Sequence, residues 1–160
     1  LVQIHSWCLM NNHYHVLLSG VAEQGMSKFL KKLNMGYSKY FNARYERVGT
    51  LFQGKTKKIL IDREAHFLYI LHYIHFNPLD YNAACKTWRE KRITSSSQAF
   101  AALAKYRWSS YRDYLGMENF PEIVAGSFMF EDRREHMRES KRYLTVLQED
   151  PPFVTFSDLE

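Results

Sequence analysis

"CLMNNHYHVLLS" (residues 8–19) sets two histidines two positions apart inside an apolar, strand-prone run. Asn11 and Asn12 mark a turn, because asparagine tolerates left-handed backbone. The run before it, "LVQIHSWCLM" (1–10), alternates and is rich in strand formers. Residues 1–10 and 13–19 therefore read as the two strands of a hairpin. In a strand, side chains at i and i+2 leave the same face. His13 and His15 project together, and Tyr14 projects from the other face. Two imidazoles so placed can chelate one divalent metal. They can equally be two hydrogen-bonded structural histidines, which is the simpler reading of a His-x-His taken alone.

Downstream the period changes. Met26, Phe29, Leu30, Leu33, Tyr37, Tyr40 and Phe41 recur at helical spacing, which predicts a helix over 24–47. Its other side carries Lys28, Lys31, Lys32, Lys39 and Arg44. "RVGTLFQG" (47–54) has two glycines and must turn, and "KTKKILI" (55–61) reads as a strand with a basic start. The next helix is "DREAHFLYILHYIHFNP" (62–78), with Asp62 as N-cap and an end at Asn77, where Pro78 disfavours helical geometry. Phe67, Ile70, Leu71 and Ile74 form its apolar stripe. Residues 79–107 are less regular, ending in a serine-led loop that opens a short helix. A short helix at 108–116 has Gly116 as C-cap. A charged surface helix follows at 130–148, with Met137, Leu144 and Leu147 as its apolar positions, and then a tail.

The 160 residues suggest one domain, or one domain with an appendage, and 46% hydrophobic residues suffice for a core. A net charge of +5 is compatible with nucleic acid without proving it. Two cysteines, Cys8 and Cys85, provide neither a disulfide framework nor a four-cysteine zinc site, so a reducing compartment is the simplest reading. The sequence has no signal-peptide pattern, no apolar run long enough for a bilayer and no nucleotide-binding P-loop. The expected location is cytoplasmic and nucleoid-associated.

Tyr73 and Asn77 lie one turn apart, about 6 Å along the axis, and face nearly the same way. A phenol and an amide oxygen can look into one site from there. The plainer alternative makes Tyr73 a packing residue and Asn77 a helix end before proline.

The order of these motifs is more specific than any of them. A strand with His-x-His is followed by a long helix, then "GTLFQGKTKKILI", then a helix ending "YILHYIHFNP", then "YRWSSYRDYLG". The series resembles the REP-associated tyrosine transposases, a branch of the HUH single-tyrosine transposases, over residues 1–116. The resemblance implies an α+β fold, an antiparallel sheet with helices packed on it, ferredoxin-like or RRM-like. The catalytic domain would span 1–116 and a helical extension 117–160, with a first strand and helix expected upstream of Leu1. It implies that His13, His15 and Asn77 hold a divalent metal, Mg²⁺ or Mn²⁺. It also implies that Tyr73 attacks a DNA phosphate, giving a 5′-phosphotyrosyl intermediate that a second DNA end reverses as strand transfer. The expected partner is single-stranded or hairpin DNA, with the protein a monomer or homodimer and no membrane involved.

Two departures stand out. Asn11 occupies a turn position where the family usually has proline, which is expected to loosen the hairpin. The run after Asn77-Pro78 is longer than usual. Candidate backbone contacts are Lys31, Lys32, Lys39, Arg44, Lys55, Lys57 and Lys58, since phosphate binding needs positive charge along the strand. Trp108 and Tyr111 are candidate stacking platforms. Three functions follow: a metal-dependent nicking and joining enzyme, a catalytically impaired module that binds DNA hairpins, and a phosphoesterase that uses water in place of tyrosine.

Overall fold

A computed structural model describes residues 1–90, 92–125 and 133–145. The fold is α+β, as expected: a two-stranded antiparallel sheet with helices packed on it. Strand β1 (Val2–Leu9) and strand β2 (Tyr14–Gly20) form the hairpin, with Cys8 opposite His15 and Leu9 opposite Tyr14. The register slips between Ile4 and Ser6, where His5 bulges and its Nε2 lies 2.8 Å from Ser19 Oγ.

The hairpin turn closes by Met10 N–H donating to the His13 carbonyl at 2.8 Å. Neither asparagine uses left-handed backbone there, since the only non-glycine residues at positive φ among the described ones are Gln24 and Glu46. Asn11 instead contributes its amide hydrogen, which donates to Tyr81 Oη at 2.8 Å. Tyr106 Oη donates to the Leu9 carbonyl at 2.6 Å on the other side of the turn. The turn expected to be loose is therefore tied to the body of the protein by two tyrosines.

Helix α1 (Gly25–Arg44) follows, with no acidic residue in its first turn and Arg44 in its last. Helix α2 (Glu64–Phe76) is the centre of the fold. Every residue from Tyr69 to Phe76 is buried, so the apolar stripe anticipated along one side is only part of a helix covered all round. The hairpin packs against it, and so does the last described helix. Its N-cap is Arg63 with no side-chain cap bond, not Asp62. At Asn77 the chain tightens into a 3₁₀ turn, Asn77–Tyr81, with Pro78 at its start. Two more 3₁₀ turns, Ala83–Cys85 and Trp88–Glu90, complete the stretch that reads as irregular in sequence.

Helix α3 (Ser96–Lys105) is capped by Ser95, whose Oγ accepts from Gln98 N–H. Helix α4 (Tyr111–Tyr114) is short and is followed by Gly116 at φ 66°. Ahead of α4 the chain runs along β1: Leu9 N–H donates to the Trp108 carbonyl at 2.9 Å and Ser110 N–H to the Trp7 carbonyl at 3.0 Å. Helix α5 (Arg133–Thr145) buries His136, Ser140, Tyr143 and Leu144, so its inner face belongs to the core. Leu147 lies outside the described residues.

The basic strand expected at 55–61 does not form; no secondary structure is assigned there. Ile59 and Ile61 are half-buried while Leu60 between them is 86% exposed, so the side chains alternate as in a strand. No described strand offers a ladder to pair with, and alternation without a partner leaves an extended segment.

Candidate active site

Alternation on β2 delivers the two histidines to one face. His13 Nε2 and His15 Nε2 lie 3.2 Å apart, with the ring planes at 86°. His13 Nδ1 lies 2.7 Å from Asn12 Oδ1, an acceptor, which places the proton on Nδ1 and the lone pair on Nε2. Burial, aided by His13 and Arg89, lowers the His15 pKa to about 4 against a partial offset from Asp80, so His15 is neutral at neutral pH.

Tyr73 on α2 meets this pair. Its ring centre is 5.8 Å from that of His15, at 82° between planes. The tyrosine is fully covered, 0% exposed, with Trp88 5.7 Å away on another side. The Arg89 guanidinium lies 5.7 Å from the Tyr73 ring centre and 4.4 Å from that of Trp88. One turn along α2, Asn77 is buried and fully engaged: its Nδ2 donates to the Tyr73 carbonyl at 2.8 Å, and its Oδ1 accepts from Arg89 Nη2 at 3.1 Å. Asp80 holds this arrangement from below. Its Oδ1 pairs with Arg89 Nη1 and accepts from Trp88 Nε1 at 2.8 Å. Burial works to lower the Arg89 pKa, but its bond to Asp80 and the nearness of Tyr73 outweigh that and leave it above its ordinary value.

A family model described as "Transposase IS200 like" matches residues 1–76. Over that stretch the chain is similar to IS200-like transposases. The matched stretch carries His13, His15 and Tyr73 and stops one residue short of Asn77. No curated protein and no solved structure matches the chain. The family's work is DNA transposition, so DNA is the substrate class that the match carries. Among the described residues no helix is long and apolar enough to cross a membrane.

The donor set fits a hard or borderline divalent cation. Two imidazole nitrogens already converge, and ligands about 2.1 Å from one ion sit close to the 3.2 Å separation seen here. Among the described residues no group of three His, Cys, Asp or Glu is placed to hold a metal, so any further protein ligand must be an amide or similar oxygen. Asn77 Oδ1 is the candidate, and it is held by Arg89. Cys8 and Cys85 are free and buried, and burial pushes the Cys8 thiol up to about 12, so neither is a thiolate ligand.

The residues proposed for DNA contact scatter more widely. Lys31, Lys32, Lys39 and Arg44 are exposed on α1, and Lys55, Lys57 and Lys58 are exposed on the extended segment. Trp108 is 48% exposed, stacked on Phe120 at 6.4 Å with Arg107 4.9 Å from its ring centre. Tyr111 is not a stacking platform: it is fully buried against His75, Phe76 and His136, with its hydroxyl 3.7 Å from Met137 Sδ. A short amphipathic helix turns its aromatics into the core, and Tyr111 follows that rule.

Asp80, Trp88 and Arg89 carry no sequence signal. They sit in "LDYNAACKTWREKR" (79–92), a run with no period, where Arg89 is one of several cations. Only the 3₁₀ turns bring Arg89 back over Tyr73.

Proposed function

We propose that this chain nicks and rejoins single-stranded DNA through a 5′-phosphotyrosine link at Tyr73, with His13, His15 and Asn77 as the ligands of a Mg²⁺ or Mn²⁺ ion. The observation that supports it is the meeting of Tyr73 with the convergent histidine pair, 5.8 Å from His15. A divalent ion at that pair supplies Lewis-acid polarisation of the scissile phosphate. The residues supply the rest. His15, held neutral, presents its lone pair without proton competition at neutral pH. The Tyr73 oxygen attacks phosphorus, the P–O3′ bond breaks, and the link to Tyr73 conserves the phosphodiester for transfer to a second 3′-hydroxyl. Exposed cations on α1 and on 55–58 are the matching surface for a DNA backbone, and foldback hairpins of the REP type are the proposed substrate.

The test is covalent trapping on a hairpin oligonucleotide with single-stranded flanks, in Mn²⁺, read as a gel-shifted protein–DNA adduct resistant to denaturant. The parent chain is expected to form it, and Tyr73→Phe to form none. An adduct at parental rate in Tyr73→Phe removes Tyr73 as nucleophile, and cleavage without an adduct selects attack by water.

The complete burial of Tyr73 favours a second reading, a module that binds hairpins without cutting. Salt-dependent hairpin binding with no adduct in any divalent metal is its signature.

A further inference from the structure

Arg89 touches each part of the cluster. Its guanidinium binds Asp80 and Asn77, lies over Trp88 and beside Tyr73, and its charge acts on His15. Its bonds are unequal. Nη1 pairs with a carboxylate, whereas Nη2 donates to the neutral amide oxygen of Asn77. A phosphate oxygen is a stronger acceptor for a guanidinium than an amide oxygen, because the bond is charge-assisted on both sides. Arg89 is also the reachable member. Its side chain is 21% exposed, whereas Tyr73 beneath it is 0% exposed.

We infer that Arg89 is a catalytic residue that receives the scissile phosphate, exchanging Asn77 Oδ1 for a non-bridging phosphate oxygen at Nη2. The inference rests on the nicking reading above and adds a residue to it. Asp80 anchors Nη1 throughout, so the guanidinium stays beside Tyr73 as the exchange occurs. The exchange has two results. Phosphorus is brought next to the Tyr73 oxygen, and the amide oxygen of Asn77 is released to join the histidine pair. The step balances as a transesterification: the phenol gives its proton to water, the Tyr73 O–P bond forms, the P–O3′ bond breaks, and the 3′-oxygen takes a proton from water. The negative charge that builds on the phosphoryl oxygens faces a fixed cation, which is where such charge is most effectively stabilised. In the reverse reaction the same cation faces the departing phenolate.

The experiment compares the parent chain with Arg89→Met, Arg89→Lys and Tyr73→Phe. Three quantities are read: Mn²⁺ binding without DNA by calorimetry, adduct rate against concentration of the flanked hairpin, and the melting midpoint. Arg89→Met is expected to bind Mn²⁺ at least as tightly as the parent, since Asn77 Oδ1 is no longer occupied. Its adduct rate at saturating DNA is expected to fall about 100-fold or more, as when one charge-stabilising donor is removed. Arg89→Lys keeps the charge without the fork and is expected to recover part of that loss. An adduct rate in Arg89→Met within threefold of the parent overturns the inference and leaves the nicking reading intact. A joint loss of Mn²⁺ binding and melting midpoint in both Arg89 variants also overturns it, because Arg89 is then structural. No adduct from the parent, or an adduct that survives Tyr73→Phe, overturns the nicking reading and this inference with it.

Discussion

Tyr73 and Tyr111 are both fully buried tyrosines, yet their surroundings differ in the one respect that matters for a nucleophile. Tyr111 points its hydroxyl at a thioether, and burial pushes its pKa well up. Tyr73 has a guanidinium and a neutral imidazole beside it. The histidines depend on a neighbour too. Asn12 Oδ1 accepts from His13 Nδ1 and so keeps the Nε2 lone pair pointed at His15. Partners of this kind typically contribute about 10- to 100-fold in metal affinity. Asn12→Ala is therefore expected to weaken Mn²⁺ binding by about 10-fold, measured by calorimetric titration, while the melting midpoint stays close to parental.

At the scale of elements, the hairpin shows how a departure from a familiar pattern finds its own solution. Proline at position 11 would fix the backbone of the turn, and its absence reads as a loosening. The Asn11 N–H instead donates to Tyr81 Oη, a bond that proline cannot make. Asn11→Pro is thus expected to destabilise the chain by about 1 kcal/mol, seen as a lower urea midpoint at unchanged slope. A gain in stability would show that the fixed backbone outweighs the bond. The extended run at 55–61 is the opposite case. Its alternating side chains meet the local requirement for a strand, but a ladder needs a second backbone, and none of the described strands lies alongside it.

Across the whole molecule, α5 is tied to α2 through histidines. His136 on α5 stacks on His72 at 5.7 Å and meets His75 edge-on at 5.6 Å, with Tyr111 and Tyr114 at 5.6 and 5.1 Å. Burial lowers the His136 pKa from 6.5 to about 4. A depressed histidine leaves the native state with fewer bound protons than the unfolded chain. Its contribution is present above pH 6.5 and is lost as pH falls from 6.5 towards 4. At pH 5 this one residue is expected to remove about 2 kcal/mol, or roughly 4–8 °C of melting midpoint. Scanning calorimetry at pH 7.5 and 5.0 reads the drop, and His136→Gln should make it smaller by about that amount, with His15 and His75 supplying the rest.

Short-range pattern determined the hairpin, α1, α3 and the histidine pair. Each depends on residues within a few positions, through alternation, helical period and a serine cap. The spacing of Tyr73 and Asn77 on one helix was legible for the same reason. The surroundings of that helix were not. Its burial on every side, the core position of Tyr111 and the return of Arg89 over Tyr73 depend on contacts between distant parts of the chain. The bond between Asn11 and Tyr81 spans 70 positions, and that between Trp7 N–H and Ser110 Oγ spans 103. The sequence thus marked a candidate nucleophile and a candidate pair of ligands. Which cation lies beside them is decided only when the 3₁₀ turns after Pro78 fold back onto α2, because no local period encodes the contact.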